Sequence, residues 1–379
     1  MDCMVQAFTG VYGCPTPRTP DEILERVGYV LDLLPAQAVI IGWHSDRALY
    51  EALIDEVHMR GKKIFLWMPV FSEMSSFEGI VSAVDFHGVP HARAGLGDED
   101  FSFLCPSHKQ NLDKMKGVFE NHFSGLRFDG VLLDKIRCSS FANGFESAMG
   151  CFCDACEQKY RENGVDLESI LALMCDKNRS FLAPTALHGM RYTFDDPDLD
   201  AFFQVRADII TKAVLSLVDW FQERDLAVGL DVFAPVFAYW VGQDIEILAQ
   251  KSDFIKPMLY RVTDAPAGLP FESRHMREEL RAHGCCMDGC LENLWGVDDL
   301  CGDKTLQLQM EQLKRLPCPT FVGMEINHKP GVCSADEFYV RNTANLIANS
   351  GLGCVLSWDV LSDTQNHLDI LAMEGVFSD

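Results

Sequence analysis

The sequence has no apolar run approaching the ~20 residues that a membrane-spanning helix needs; stretches such as Gln37–Ile41 and Ile64–Phe71 stop far short. It is poor in basic residues. Lys and Arg number 32 against 56 Asp and Glu, for a formal charge of −24 and a pI near 4.7. A surface of that sign repels phosphate backbones and anionic bilayers, so neither a nucleic-acid nor a membrane partner is expected. The opening MDCMVQAF lacks the basic stretch and apolar run of a secretory leader, which predicts a cytoplasmic protein. Also missing are an HExxH helix, an EF-hand loop, a P-loop and a GxSxG elbow. Gly10-Val11-Tyr12-Gly13 does not make the glycine fingerprint of a dinucleotide-binding sheet. No internal repeat, low-complexity tract or linker divides the chain.

What is present is apolar mass. Of 379 residues 48% are hydrophobic and mean hydropathy is +0.01, enough for a large core. Fifteen cysteines without a leader read as reduced thiols. Short apolar runs alternate with amphipathic helices. Strands are expected at 3–8, 38–42, 63–70, 128–134, 227–233, 254–260, 320–326 and 353–358. Thr19-Pro20-Asp21-Glu22 and Asp46 are helix starts, and an acid- and glycine-rich stretch over 75–101 reads as a loop. Parallel strands need helical crossovers, and eight such units close naturally into a (β/α)8 TIM barrel. The expectation is an α/β fold: one barrel domain over 1–379, with a Cys-rich insertion at about 138–200 after strand four.

In such a barrel the chemistry lies at the C-terminal strand ends. Those ends carry Asp134 and Arg137 (strand four), Asp231 (five), Lys256 and Tyr260 (six), Glu325 and Asn327 (seven), and Trp358 and Asp359 (eight). Strands two and three add Trp43 and Trp67. Asp359 reads as a cap of the following helix and Asp129 as a turn residue at the base. Asp134, Asp231 and Glu325 differ, because each lies in or ends an apolar run and a buried carboxylate needs compensation. Ion pairs with Lys256 or Arg137 would supply it; so would an active site of paired acids. Paired carboxylates beside aromatic platforms (Trp43, Trp67, Tyr260, Trp358) suit glycoside chemistry, in which one acid protonates the leaving oxygen and the other acts as nucleophile or base.

Phe128-Asp129-Gly130-Val131-Leu132-Leu133-Asp134 with Ile136-Arg137 resembles the fourth-strand segment of glycoside-hydrolase-like TIM-barrel families. Leu104-Cys105-Pro106-Ser107, the run Cys151–Cys156, Asp253–Tyr260 and Gly351–Trp358 match other blocks of those families. Family 18 chitinase-type barrels run Phe-Asp-Gly-hydrophobic-Asp-x-Asp-x-Glu at this strand. Here Leu132 replaces the middle Asp and Ile136 the catalytic Glu, although Met258-x-Tyr260 and Trp358 are similar to their sixth- and eighth-strand residues. Barrels of the α-amylase and α-galactosidase groups end strand four in a nucleophilic Asp, which Asp134 matches, while the α-amylase Arg-x-Asp pattern is absent. The resemblance implies Asp134 as nucleophile or stabilising carboxylate and Glu325 as acid/base, with Asp231 the substitute for either. With the strand-end reading, a small-molecule carbohydrate substrate is expected, with Trp43, Trp67, Arg137, Lys256, Tyr260, Asn327 and Trp358 as its candidate binding residues and no cofactor for catalysis.

Cys151, Cys153 and Cys156, with Cys138 upstream, have a spacing that favours tetrahedral zinc. The expectation is a structural Zn²⁺ on these four; the alternative is four reduced, buried thiols. Two other functional readings stay open: a Schiff-base lyase or aldolase using Lys256, and a carbohydrate-binding barrel without catalysis.

Overall fold

The computed structural model describes residues 1–379 except 12–13, 16–17, 74–76, 93–100, 177–181, 286, 363 and 378–379. Eight strands, β1 (Cys3–Phe8), β2 (Ala38–Gly42), β3 (Lys63–Pro69), β4 (Gly130–Asp134), β5 (Ala227–Phe233), β6 (Phe254–Met258), β7 (Phe321–Glu325) and β8 (Gly353–Ser357), pair in chain order. All pairs are parallel, and β8 returns to β1 through Cys3–Cys354 and Val5–Leu356, closing the barrel. The expected TIM barrel is the fold. Its strands read as near-continuous apolar runs because both faces are covered, one by the barrel interior and one by helices.

The sequence signals for the helices act as expected. Thr19 and Glu22 exchange side-chain bonds with each other's backbone N–H in a capping box at α1 (Pro20–Leu33). Asp46 accepts from the Ala48 N–H at the start of α2 (Arg47–Met59). The other long helices are α3 (Lys109–His122), α4 (Pro197–Gln222), α5 (Leu269–Ala282), α6 (Asp303–Leu313), α7 (Glu337–Ser350) and α8 (Gln365–Glu374). Among the described residues no helix is long and apolar enough to cross a membrane. Among the described residues the expected insertion between β4 and α4 holds a 3-10 turn (Phe141–Asn143), three short α-helices (Phe145–Ala148, Asp154–Glu162, Leu167–Cys175) and a hairpin, Ala186–His188 with Arg191–Thr193.

Alternation along each strand points every second residue inward. At the base Phe65, Phe254 and Phe321 meet edge to face, with centroids 5.3 and 5.7 Å apart. Glycine makes room for them. A Cβ on Gly229 would lie 2.1 Å from the Phe254 ring, and one on Gly130 would lie 2.1 Å from the Ala227 carbonyl. Asp129 sits just below, accepting from the Ile64 N–H at 2.8 Å with His58 at 3.0 Å, a turn residue at the base as expected. This aromatic floor sets the depth at which the first polar side chains of the interior can appear.

Two alanine substitutions should therefore differ in sign. Gly130→Ala meets backbone and should cost about 1–3 kcal/mol by overpacking. Gly117→Ala, on α3 with open space around it, should gain about 0.5–1 kcal/mol from helix propensity. Denaturant unfolding of both variants checks this; equal effects would contradict the packed floor.

Candidate active site

Above the aromatic floor the barrel interior turns polar. Asp231 and Lys256 are register partners on β5 and β6. The Lys256 ammonium donates to Asp231 Oδ2 at 2.7 Å and to the Tyr260 hydroxyl at 3.0 Å. Both charged side chains are about as hidden as any in the protein, with 1% and 2% exposure. Room for the lysine stem and the tyrosine ring comes from Gly323 on β7, where a Cβ would lie 3.1 Å from the ring and 3.4 Å from Lys256 Cε.

Burial drives the Asp231 carboxyl up to about 7, against the Lys256 charge, and nearby Asp134 adds to the rise. Its Oδ1 has no hydrogen-bond partner. Burial alone would push Lys256 toward neutrality, but Asp231 and Tyr260 outweigh it and hold the ammonium above its ordinary pKa. Burial likewise pushes the Tyr260 hydroxyl up to about 12. A Schiff base needs a neutral amine, so these surroundings run against the lyase reading.

Asp134 ends β4 at the mouth, half-buried. The Trp67 indole N–H donates to its Oδ2 at 2.9 Å, and the Lys135 backbone N–H donates to its Oδ1. Lys135 then takes a left-handed φ of 52°, which turns the chain away from the strand. Its ammonium pairs with Glu73 and lies 4.1 Å over the Phe101 ring. Arg137 follows, buried between the faces of Phe103 and Phe233 at 4.5 and 4.4 Å. Burial lowers its guanidinium from the ordinary value, against the pull of Glu272 and Asp134.

Glu325 is placed differently. It is completely enclosed and accepts from the Val262 N–H at 2.9 Å, from the Thr263 hydroxyl at 3.2 Å and from the Tyr339 hydroxyl. Burial raises its pKa against those donors. They come from the loop after β6 and from α7. The field of Asp134 acts instead on Asp231, whose carboxyl it raises.

The remaining expected residues divide between scaffold and mouth. Asn327 accepts from the Trp358 and Asp359 backbone N–H groups at 2.8 and 3.1 Å and donates to the Asp359 carbonyl at 2.8 Å, stitching the end of β7 to that of β8. Trp43 is 3% exposed, packs on Phe123 and donates to the Trp67 carbonyl. Trp67 packs edge-on against Phe8. Trp358 is the half-exposed ring of the four aromatics. Asp359 holds the turn after β8, accepting from Phe8, Leu361 and Ser362, while the helix cap itself is Thr364.

One residue of this region escaped the sequence reading. Glu272 is buried on α5, accepts from the Ala267 N–H at 2.9 Å and faces Arg137 electrostatically; burial raises its pKa. Its signal was helical spacing, since Leu269, Glu272, Ser273, Met276 and Leu280 form the buried stripe of α5.

Among the cysteines, the fourth member of the cluster is Cys105, not Cys138. Cys105, Cys151, Cys153 and Cys156 place their sulfurs within 4.8 Å of one another. Cys138 packs instead toward Gly242, where a Cβ would lie 3.4 Å from its sulfur. The expectation used nearness along the chain, and the long connection between β3 and α3 brings in a thiol from farther away. The thirteen cysteines with described side chains are all free thiols.

No protein-family model matches the chain, and no curated protein matches it in sequence. In three dimensions it is similar to the PgaB (BpsB) glycoside hydrolase domain of Bordetella bronchiseptica. The TM-score is 0.62 at 16% identity, over 100% of this chain and 99% of that one. The catalytic domain 2 of the Ostrinia furnacalis Group II chitinase aligns with a TM-score of 0.48 at 12% identity, over 99% of this chain and 96% of that one. The fold it shares with the first of these is the TIM barrel. At such identities the likeness speaks for architecture, and the roles of individual residues rest on their own chemistry.

Lys256→Met strands Asp231 among apolar neighbours, and breaking a buried pair in this way costs about 3–5 kcal/mol. A carboxyl whose folded pKa is raised contributes its full stability at low pH and loses it as pH rises through the folded value. Without Lys256 that value rises above about 7. The variant should therefore lie closest to wild type at acid pH and fall furthest below it in alkali. Denaturant midpoints across pH measure the gap, and a gap independent of pH would contradict a buried charged pair.

Proposed function

We propose that the protein is a glycoside hydrolase acting on a small carbohydrate at the barrel mouth, with Asp134 and Asp231 as its working carboxylates. The observation that supports this reading is their juxtaposition on neighbouring strands, each following the Leu133–Leu230 register pair of β4 and β5: Asp134 half-exposed and fixed by Trp67, Asp231 buried and pushed to about 7. A carboxyl raised toward 7 by burial is the kind of group that serves as an acid at neutral pH beside a second carboxyl at the mouth.

Asp134 meets the anomeric carbon as nucleophile or as the charge that stabilises an oxocarbenium-like transition state. Asp231 is the partner that gains and loses a proton around neutrality, its unbonded Oδ1 the oxygen free to carry it. Lys256 and Tyr260 hold it in place. This assigns to Asp231 the acid/base role that the family resemblance gave to Glu325, whose oxygens are engaged by Val262, Thr263 and Tyr339. Trp358 offers the sugar a ring face at the mouth. The reaction runs on protons and water, without a cofactor.

Screening against chromogenic glycosides and reducing-end release from oligosaccharides should give turnover. Asp134→Asn keeps an acceptor for the Trp67 N–H and should lower kcat/KM by at least about 10²-fold with an unchanged melting temperature. In wild type kcat/KM should fall as pH rises through about 7, where Asp231 loses its proton. Full activity in Asp134→Asn would end the proposal, as would a flat profile between pH 6 and 9.

A further inference from the structure

We propose that Cys105, Cys151, Cys153 and Cys156 form a closed tetrathiolate site for one structural Zn²⁺, which pins the connection between β3 and α3 to the insertion after β4. The inference is independent of the hydrolase reading.

The geometry is that of a metal site. Cys105 Sγ lies 3.4 Å from Cys153 Sγ and 3.5 Å from Cys156 Sγ. A disulfide would bring two sulfurs to about 2.05 Å. Four sulfurs at about 2.3 Å from a central zinc lie about 3.8 Å from each other along the tetrahedron's edges. The sulfurs therefore sit far outside bonding distance and near the spacing zinc imposes. Neutral thiols are weak donors and weak acceptors, so their own hydrogen bonding gives no reason for four of them to converge. A soft divalent cation does, and thiolate sets select zinc.

The surroundings suit thiolates. Three of the four cysteines are buried and Cys153 is half-buried, so water has little access. Ser107 Oγ lies 3.1 Å from Cys156 Sγ, and His108 Nε2 lies 3.5 Å from Cys153 Sγ. Both can donate to metal-bound sulfur as outer partners of the site. Cys153 is also the N-cap of helix Asp154–Glu162, the end whose dipole favours negative charge. On binding, four S–H groups release four protons and four Zn–S bonds form. With no ligand position left for water the site supplies no chemistry of its own.

Its consequence is mechanical. The two segments it joins also meet beside Asp134, where Glu73, Phe101 and Phe103 of the first hold Lys135 and Arg137 of the second. Between the sulfurs and that wall the segments share the Phe152 N–H to Val84 carbonyl bond at 2.8 Å and the Asn143 amide bonds to Ala92 and Phe101.

Full-length protein purified under reducing conditions from zinc-supplemented cells should contain one zinc and no stoichiometric iron by elemental analysis. Cys105→Ser should lose the zinc, and Cys138→Ser should keep it. Because Cys105→Ser could fail to fold, wild-type protein is also titrated with an organomercurial beside a zinc-sensitive dye, where the metal should appear in step with the blocking of four thiols. Chelation should lower the melting temperature. Substoichiometric zinc, iron in its place, zinc lost from Cys138→Ser but kept in Cys105→Ser, or release uncoupled from four thiols would each overturn the proposal.

Discussion

Inside the barrel Asp231 and Lys256 face each other at 2.7 Å on neighbouring strands, and neither could be there without the other. Removing an ion from water costs several kcal/mol even after the protein relaxes, and only a close partner with further hydrogen bonds offsets it. Much of the neighbourhood follows from that demand. Gly323 leaves space for the lysine stem, Tyr260 takes one of the ammonium protons, and the aromatic floor of Phe65, Phe254 and Phe321 closes the interior below the pair. What the pair leaves over is a single carboxyl oxygen, Asp231 Oδ1, without a partner and within the field of Asp134.

The mouth is built on a second scale. β3 and β4 deliver Trp67 and Asp134 rigidly, as strands of a closed barrel do. The segments that follow them are long, and their mutual contacts are unusual in kind: cations buried against aromatic faces, Lys135 on Phe101 and Arg137 between Phe103 and Phe233. Both cations also face buried acids, Lys135 in its pair with Glu73 and Arg137 beside Glu272, so the wall carries its charges in compensated form. The thiol cluster lies where the same segments meet again, which makes it a second fastening of one wall.

Much of this was legible in the sequence. Each strand was placed to within two residues, because a strand covered on both faces reads as a near-continuous apolar run. Asp134, Asp231 and Glu325 stood out for the same reason: each interrupts a run that has no need of a charge. Their partners did not stand out. That Glu325 meets Tyr339 depends on how α7 lies on the barrel, and that Asp231 meets Lys256 depends on the register of β5 against β6. The cysteines make the point most clearly. Cys138 is the nearer thiol along the chain, yet the connection between β3 and α3 carries Cys105 to the cluster, and no local spacing encodes that return. Glu272 was hidden for another reason, since an acid on an amphipathic helix reads as its solvent face until the neighbouring barrel covers it.

The account depends most on the coupling of Asp134 to Asp231, and carboxyl carbon NMR titration of aspartate-labelled protein reads it directly. The account predicts one aspartate titrating near 7, absent in Asp231→Asn and shifted to lower pH in Asp134→Asn, where the neighbouring charge is gone. If every aspartate titrated below 5, or the near-neutral one ignored the loss of Asp134, the two carboxylates would not be a pair.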